Sequence, residues 1–155
     1  MHEKEILWRY LGQYRRKEEN TLQTRSGHLA EYALVAAVGG VGYYALETLW
    51  RGWSHWSMAL AGGLCLLLYY PLCVGRPRPR LLLALMGAAI ITGVELCVGI
   101  TVNIGLGLAV WDYSSLPLNL WGQISLLYSA LWFLLCIPAA WLCRGLRRYV
   151  FGGEK

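Results

Sequence analysis

Residues 81–110 read LLLALMGAAIITGVELCVGITVNIGLGLAV. As a single α-helix this run would be about 45 Å long, against a bilayer hydrocarbon core of about 30 Å. It must therefore tilt, bend or unwind, and Gly99, Gly105 and Gly107 put the change in its last third. Glu95 is the one charged residue inside it. Directly after it comes Trp111-Asp112-Tyr113-Ser114-Ser115-Leu116-Pro117-Leu118-Asn119, which holds the only aspartate of the chain. A lone carboxylate among Trp and Tyr, beside apolar runs, predicts a loop held at a membrane surface.

Three further apolar runs lie around this one. From Leu29 to Val74 the charged residues are Glu31, Glu47 and Arg51, and from Leu81 to Cys143 they are Glu95 and Asp112. The chain as a whole is 57% hydrophobic and 15% charged, where a soluble domain carries about 25% charged residues. The pattern predicts an all-α membrane protein with four transmembrane helices, near 29–50, 55–74, 81–110 and 119–143. Gly39, Gly40, Gly42, Gly62 and Gly63 are small residues that let helices approach closely. Arg76-Pro77-Arg78-Pro79-Arg80 is a basic loop that its prolines keep from being helical.

Residues 1–27 are polar, with Ile6, Leu7, Trp8, Tyr10, Leu11 and Tyr14 recurring at helical spacing. They predict an N-terminal amphipathic helix at the interface, or packed on cytoplasmic loops, ended by Ser26-Gly27-His28. The expected organisation is thus a cytoplasmic or interfacial segment over 1–27 and a four-helix transmembrane domain over 28–150. No cleavable leader is expected, because the first apolar run starts near residue 29 without a cleavage site.

The formal net charge of +5 does not point to nucleic acid, because the basic residues flank the apolar runs. Six Lys or Arg precede the first span, three lie in 76–80 and four follow the last span, whereas Arg51 stands alone on the other side. The positive-inside rule then puts both termini and the 76–80 loop in the cytoplasm. The turn after Arg51 and the 111–119 loop face outward. Trp50, Trp53, Trp56, Trp111, Tyr113 and Trp121 read as an outer aromatic belt.

The polar residues at membrane depth gather toward that outer side. Glu47 and Arg51 are one helical turn apart. Thr92, Glu95, Gly99 and Asn103 fall within about 80° of one helix face. Asn119 and Gln123 are four apart, and Asp112 lies between the spans. Ionisable residues in a membrane are costly and usually face a bundle interior or a cavity. These residues predict an outward-opening polar chamber lined by Glu47, Arg51, Glu95, Asn103, Asp112, Asn119 and Gln123. In it Glu95 points into the bundle and meets polar atoms of the first or fourth span, foremost Glu47, Tyr43 or Gln123. The plainer alternative is structural: Glu47 pairs with Arg51, and the amides and Asp112 cap helix starts. No P-loop, nucleotide-binding glycine motif, Gly-x-Ser-x-Gly elbow or zinc pattern is present, so no cofactor, metal or catalytic set is expected. The five cysteines read as small apolar packing residues.

The chain resembles a bacterial permease family described as "putative ABC-transporter type IV". The resemblance rests on Gly42-Tyr43 through Glu47, Arg51-Gly52, His55-Trp56-Ser57-Met58 and Gly62-Gly63. It continues through Glu95, Asn103, Trp111-Asp112-Tyr113-Ser114, Pro117, Asn119, Gly122-Gln123-Ile124 and Trp132. It implies a multi-pass protein of the bacterial plasma membrane, permease-like or transport-related. With no ATPase motif in the sequence, ATP-driven action would need a separate cytoplasmic ATPase. Four spans are few for a transport path, which points to a homo-oligomer or a partner membrane protein.

Two other readings compete. One is a membrane accessory, sensor or scaffold that binds a cytoplasmic partner. The other is an intramembrane enzyme using two of Glu47, Glu95 and Asp112 as acid and base. Converging carboxylates in an outward pocket would favour the enzyme, a through-going cavity or a symmetric dimer seam would favour transport, and a filled bundle with no cavity would favour the accessory.

Overall fold

The computed structural model describes residues 2–152, with side chains from Gly27 onward. The chain divides into two compact units, Met1–Leu34 and Val35–Lys155. Helix α1 is His2–Arg51, α2 is Trp56–Val74, α3 is Arg80–Gly99 and α4 is Leu126–Gly145. In the first unit the backbone is helical from His2, and the break expected at Ser26-Gly27-His28 does not occur. A single glycine costs a helix only about 1 kcal/mol, too little to end one of this length. The expected amphipathic face, with Trp8 and Tyr10, lies outside the described side chains.

Among the described residues four helices are long and apolar enough to cross a membrane: Gly27–Arg51, Trp56–Val74, Arg80–Gly105 and Leu126–Val150. The protein is therefore an all-α membrane protein. In the second unit, α1 from Val35 onward packs on α2 through glycines. A Cβ added to Gly39 would stand 2.6 Å from the Gly62 carbonyl oxygen, and one on Gly40 would stand 2.7 Å from that of Ala59. Any side chain there would push the two backbones apart. Helix α2 starts where the His55 ring nitrogen Nδ1 accepts from the Ser57 N–H at 3.3 Å. At its far end Arg78 donates to the Leu72 carbonyl at 2.9 Å and Arg144 to that of Cys73 at 3.2 Å. These side chains occupy carbonyls that the helix leaves without intrahelical partners.

The third span resolves its excess length by unwinding. Its α-helical part ends at Gly99, and Ile100–Gly105 continues as a π-helical turn. Then Asn103 Oδ1 accepts from the Val110 N–H at 2.7 Å, and the chain folds back on itself. The fourth span departs from expectation at its start. Residues 119–125, expected as helix, form a small antiparallel hairpin in which Asn119 faces Ser125 and Leu120 faces Ile124. Its turn needs positive φ at two successive residues, Trp121 (53°) and Gly122 (69°). Only then does Ser125 cap α4, accepting from the Tyr128 N–H. A final π-helical turn covers Leu146–Val150.

The aromatic belt is also partly revised. Trp50, Trp53, Trp56 and Trp121 are exposed, but Trp111 is 7% exposed and packs with Met58, Val102 and Val110. Tyr113 turns inward as well, stacking on Tyr128 with ring centroids 4.3 Å apart.

Candidate functional site

The expected site residues fall into two groups. The first is a polar layer at the end of the bundle that carries Arg51 and the 106–125 loop. Arg51 sits one turn after Glu47, so their side chains meet on the same helix face. Their closest approach is 2.6 Å, between Arg51 Nη2 and Glu47 Oε1. The other Glu47 oxygen accepts from the Ser54 hydroxyl. Arg51 Nη1 donates to the Val110 carbonyl at 2.9 Å, and the guanidinium lies 4.2 Å over the Trp53 ring. Arg51 thereby ties α1 to the loop that follows α3.

Asn103 and Gln123 finish that layer. The Asn103 amide donates to Gln123 Oε1 at 2.8 Å and to the Trp111 carbonyl at 3.0 Å. The Trp111 indole in turn donates to the Gln123 carbonyl at 2.9 Å. Gly99 provides the room: a Cβ there would lie 2.5 Å from Gln123 Oε1. Asp112 is exposed and accepts from the backbone and hydroxyl of Ser114 at 2.8 and 3.0 Å. Asn119 donates to the Ser114 and Leu116 carbonyls and accepts from the Gly122 N–H. Each of these six residues thus helps to build the loop.

Glu95 lies apart from them. It is 6% exposed, and its two oxygens accept from different donors. The Tyr113 hydroxyl donates to Oε1 at 3.0 Å and the Trp132 indole to Oε2 at 3.0 Å. Burial, then the adjacent Glu95 carboxylate, raises the Tyr113 phenol well above its ordinary value, which keeps it a donor. Trp132 is held by aromatic neighbours, with Tyr43 at 5.8 Å and Tyr128 at 6.1 Å between ring centroids. Among the described residues Arg51 pairs with Glu47, and Glu95 faces no cationic side chain.

Beside Glu95 is a cleft of about 390 Å³. It is lined by residues of all four helices, including Tyr43, Cys65, Glu95 and Trp132. Of the seven expected site residues only Glu95 lines it.

Residues 44–150 match the family described as "Putative ABC-transporter type IV". The chain belongs to that family. No curated protein and no solved structure matches it. In this family member the matched segment contains all seven expected site residues and also Tyr113 and Trp132, the actual partners of Glu95. Trp132 is a polar partner on the fourth span, as the placing of Glu95 inside the bundle implies, whereas Tyr113 of the loop takes the place of Glu47, Tyr43 and Gln123. The sequence pattern puts Tyr113 in the outer belt, and Trp132 stands out only through the family resemblance. Helical arithmetic does not point to Trp132: α3 and α4 run antiparallel, so stepping on along α3 from the Thr92–Ser129 contact leads toward the start of α4, and it is the length of the indole that brings Trp132 to Glu95.

Proposed function

We propose that this protein is a small permease-like subunit whose substrate site is the Glu95 cleft. The observation that carries this reading is a buried carboxyl group that lines free volume among membrane-spanning helices. A carboxyl at that depth is costly unless it serves a ligand, a proton or a partner. The polar layer of Glu47, Arg51, Asn103, Asp112, Asn119 and Gln123 closes the cleft toward the outer side. Both termini are cytoplasmic and the membrane is the bacterial plasma membrane. A homo-oligomer or a partner membrane protein completes the path, and any ATP-driven step comes from a separate cytoplasmic ATPase.

A filled bundle with no cavity would favour an accessory role, and the cleft beside Glu95 speaks against that reading. The acid–base reading needs two converging carboxylates, whereas Glu47, Glu95 and Asp112 each have their own hydrogen-bond partners.

Profiling of small molecules in cells and medium tests the function. A deletion strain and a strain carrying Glu95→Gln should both redistribute one solute class between the two compartments. Identical distributions in wild-type, deletion and Glu95→Gln strains refute transport by this site. The orientation is tested separately: single cysteines at Ser54 and Ser115 should label from outside intact cells.

A further inference from the structure

The mouth and floor of the cleft differ in exposure. The α1 and α4 residues at its rim include Leu46 and Leu142, 42% and 47% exposed. The α2 and α3 residues beneath, such as Met58, Ala61 and Val94, are buried. The cleft therefore opens sideways between α1 and α4, on surfaces apolar enough to face lipid, and Glu95 sits inside. Its volume of about 390 Å³ lies within the range of small-molecule sites.

The lining restricts the chemistry of an occupant. A hard metal ion needs six or more oxygen ligands, and apolar and aromatic side chains dominate this lining. An anion would meet a carboxyl group with no basic residue beside it. A plain acyl chain would fill the space and leave the carboxyl without a counter-charge. Tyr43 and Trp132 offer aromatic faces next to Glu95, the surroundings in which organic cations are held.

We propose that the cleft between α1 and α4 binds a lipophilic organic cation, an ammonium or phosphonium group on an apolar body, with Glu95 as counter-ion. The proposal rests on the transport reading for its biological use, while binding can be tested alone. Calorimetry on the purified full chain in detergent uses tetraphenylphosphonium and neutral triphenylphosphine oxide as probes. Tetraphenylphosphonium should bind saturably, at least tenfold tighter to wild type than to Glu95→Gln. The neutral probe should not distinguish the two. Equal phosphonium affinity for both proteins, or no saturable binding to wild type, overturns the proposal.

A second measurement needs no variant. Cys65 lines the cleft, whereas Cys97 is exposed elsewhere. Tetraphenylphosphonium should slow alkylation of Cys65 by a membrane-permeant maleimide, at least threefold, and leave Cys97 unchanged. No selective protection of Cys65 overturns the proposal even if Glu95→Gln fails to fold. Vesicles reconstituted with the protein separate the two claims. Saturable binding without phosphonium flux removes the transport reading and leaves the binding site standing.

Discussion

The polar layer around Arg51 and the cleft around Glu95 are built from the same kinds of residue and do different things. In the layer, opposite charges meet and amides bond amides and backbone. Arg51 has Glu47, Asn103 has Gln123, and Asp112 has Ser114. In the cleft a carboxyl group holds two neutral donors, faces no cation among the described side chains, and adjoins open volume. A polar residue in an apolar helix marks a functional site when space and missing counter-charge accompany it. Where an opposite charge and hydrogen bonds tie it to its neighbours it marks architecture. Substitutions in the layer should therefore cost stability, and substitutions in the cleft should cost function.

The largest expected effect is at Arg51. Arg51→Ala leaves the Glu47 carboxylate buried without its cation and frees the Val110 carbonyl. The side chains are 24% and 10% exposed, so part of the usual buried-pair penalty is screened. A loss of about 2–4 kcal/mol follows, read as a lower unfolding midpoint in detergent. Arg51→Lys should lose less, because the charge survives while the planar fork is lost. If Arg51→Ala unfolds no earlier than wild type, the layer is not structural and the contrast fails. Asn103→Ala comes next. It removes three hydrogen bonds and strands the Val110 N–H and Gln123 Oε1, for about 2–3 kcal/mol. Gly99→Ala should follow at about 1–3 kcal/mol, because its new methyl presses on Gln123 and Trp111. A Gly99→Ala protein as stable as wild type would mean that the loop is not seated on α3 as described.

Much of the fold was legible because lipid forbids alternatives. Long charge-poor runs have to be helices, and span 2, expected over 55–74, is Trp56–Val74. That span 3 must tilt, bend or unwind was readable from its length, and its glycines placed the change in the last third, but the choice of unwinding was not. The hairpin over 119–125 was not. Its apolar residues fit a helix as well as strands, and Asn119 with Gly122 is turn chemistry that the helical reading absorbed. The inward side of Trp111 and Tyr113 was hidden for a related reason. It depends on Asn103 bonding Gln123 across 20 positions, and no local pattern encodes such a closure. The shared face of Thr92, Glu95, Gly99 and Asn103 was readable, since helical periodicity fixes it. All four meet α4 or the loop before it.

Glu95→Gln should have the smallest effect on stability. Glutamine offers one acceptor oxygen and one donor amide where glutamate offered two acceptors. The Trp132 indole can only donate, so the amide oxygen must turn toward it. The Tyr113 hydroxyl can rotate and accept from the amide nitrogen instead. Both hydrogen bonds then survive, and the cost stays below about 1 kcal/mol. Glu95→Leu supplies the contrast: it keeps neither acceptor, strands the indole N–H, and should cost about 1–3 kcal/mol. Midpoints in detergent for the two variants, set beside an in-cell phenotype, separate hydrogen bonding from charge. A normal midpoint with lost function in Glu95→Gln means that the charge of the carboxyl group is what the cleft uses. A midpoint as low as that of Arg51→Ala would make Glu95 one more structural residue. Normal stability with full function would show that an amide suffices, and that neither a proton nor a cation is handled there.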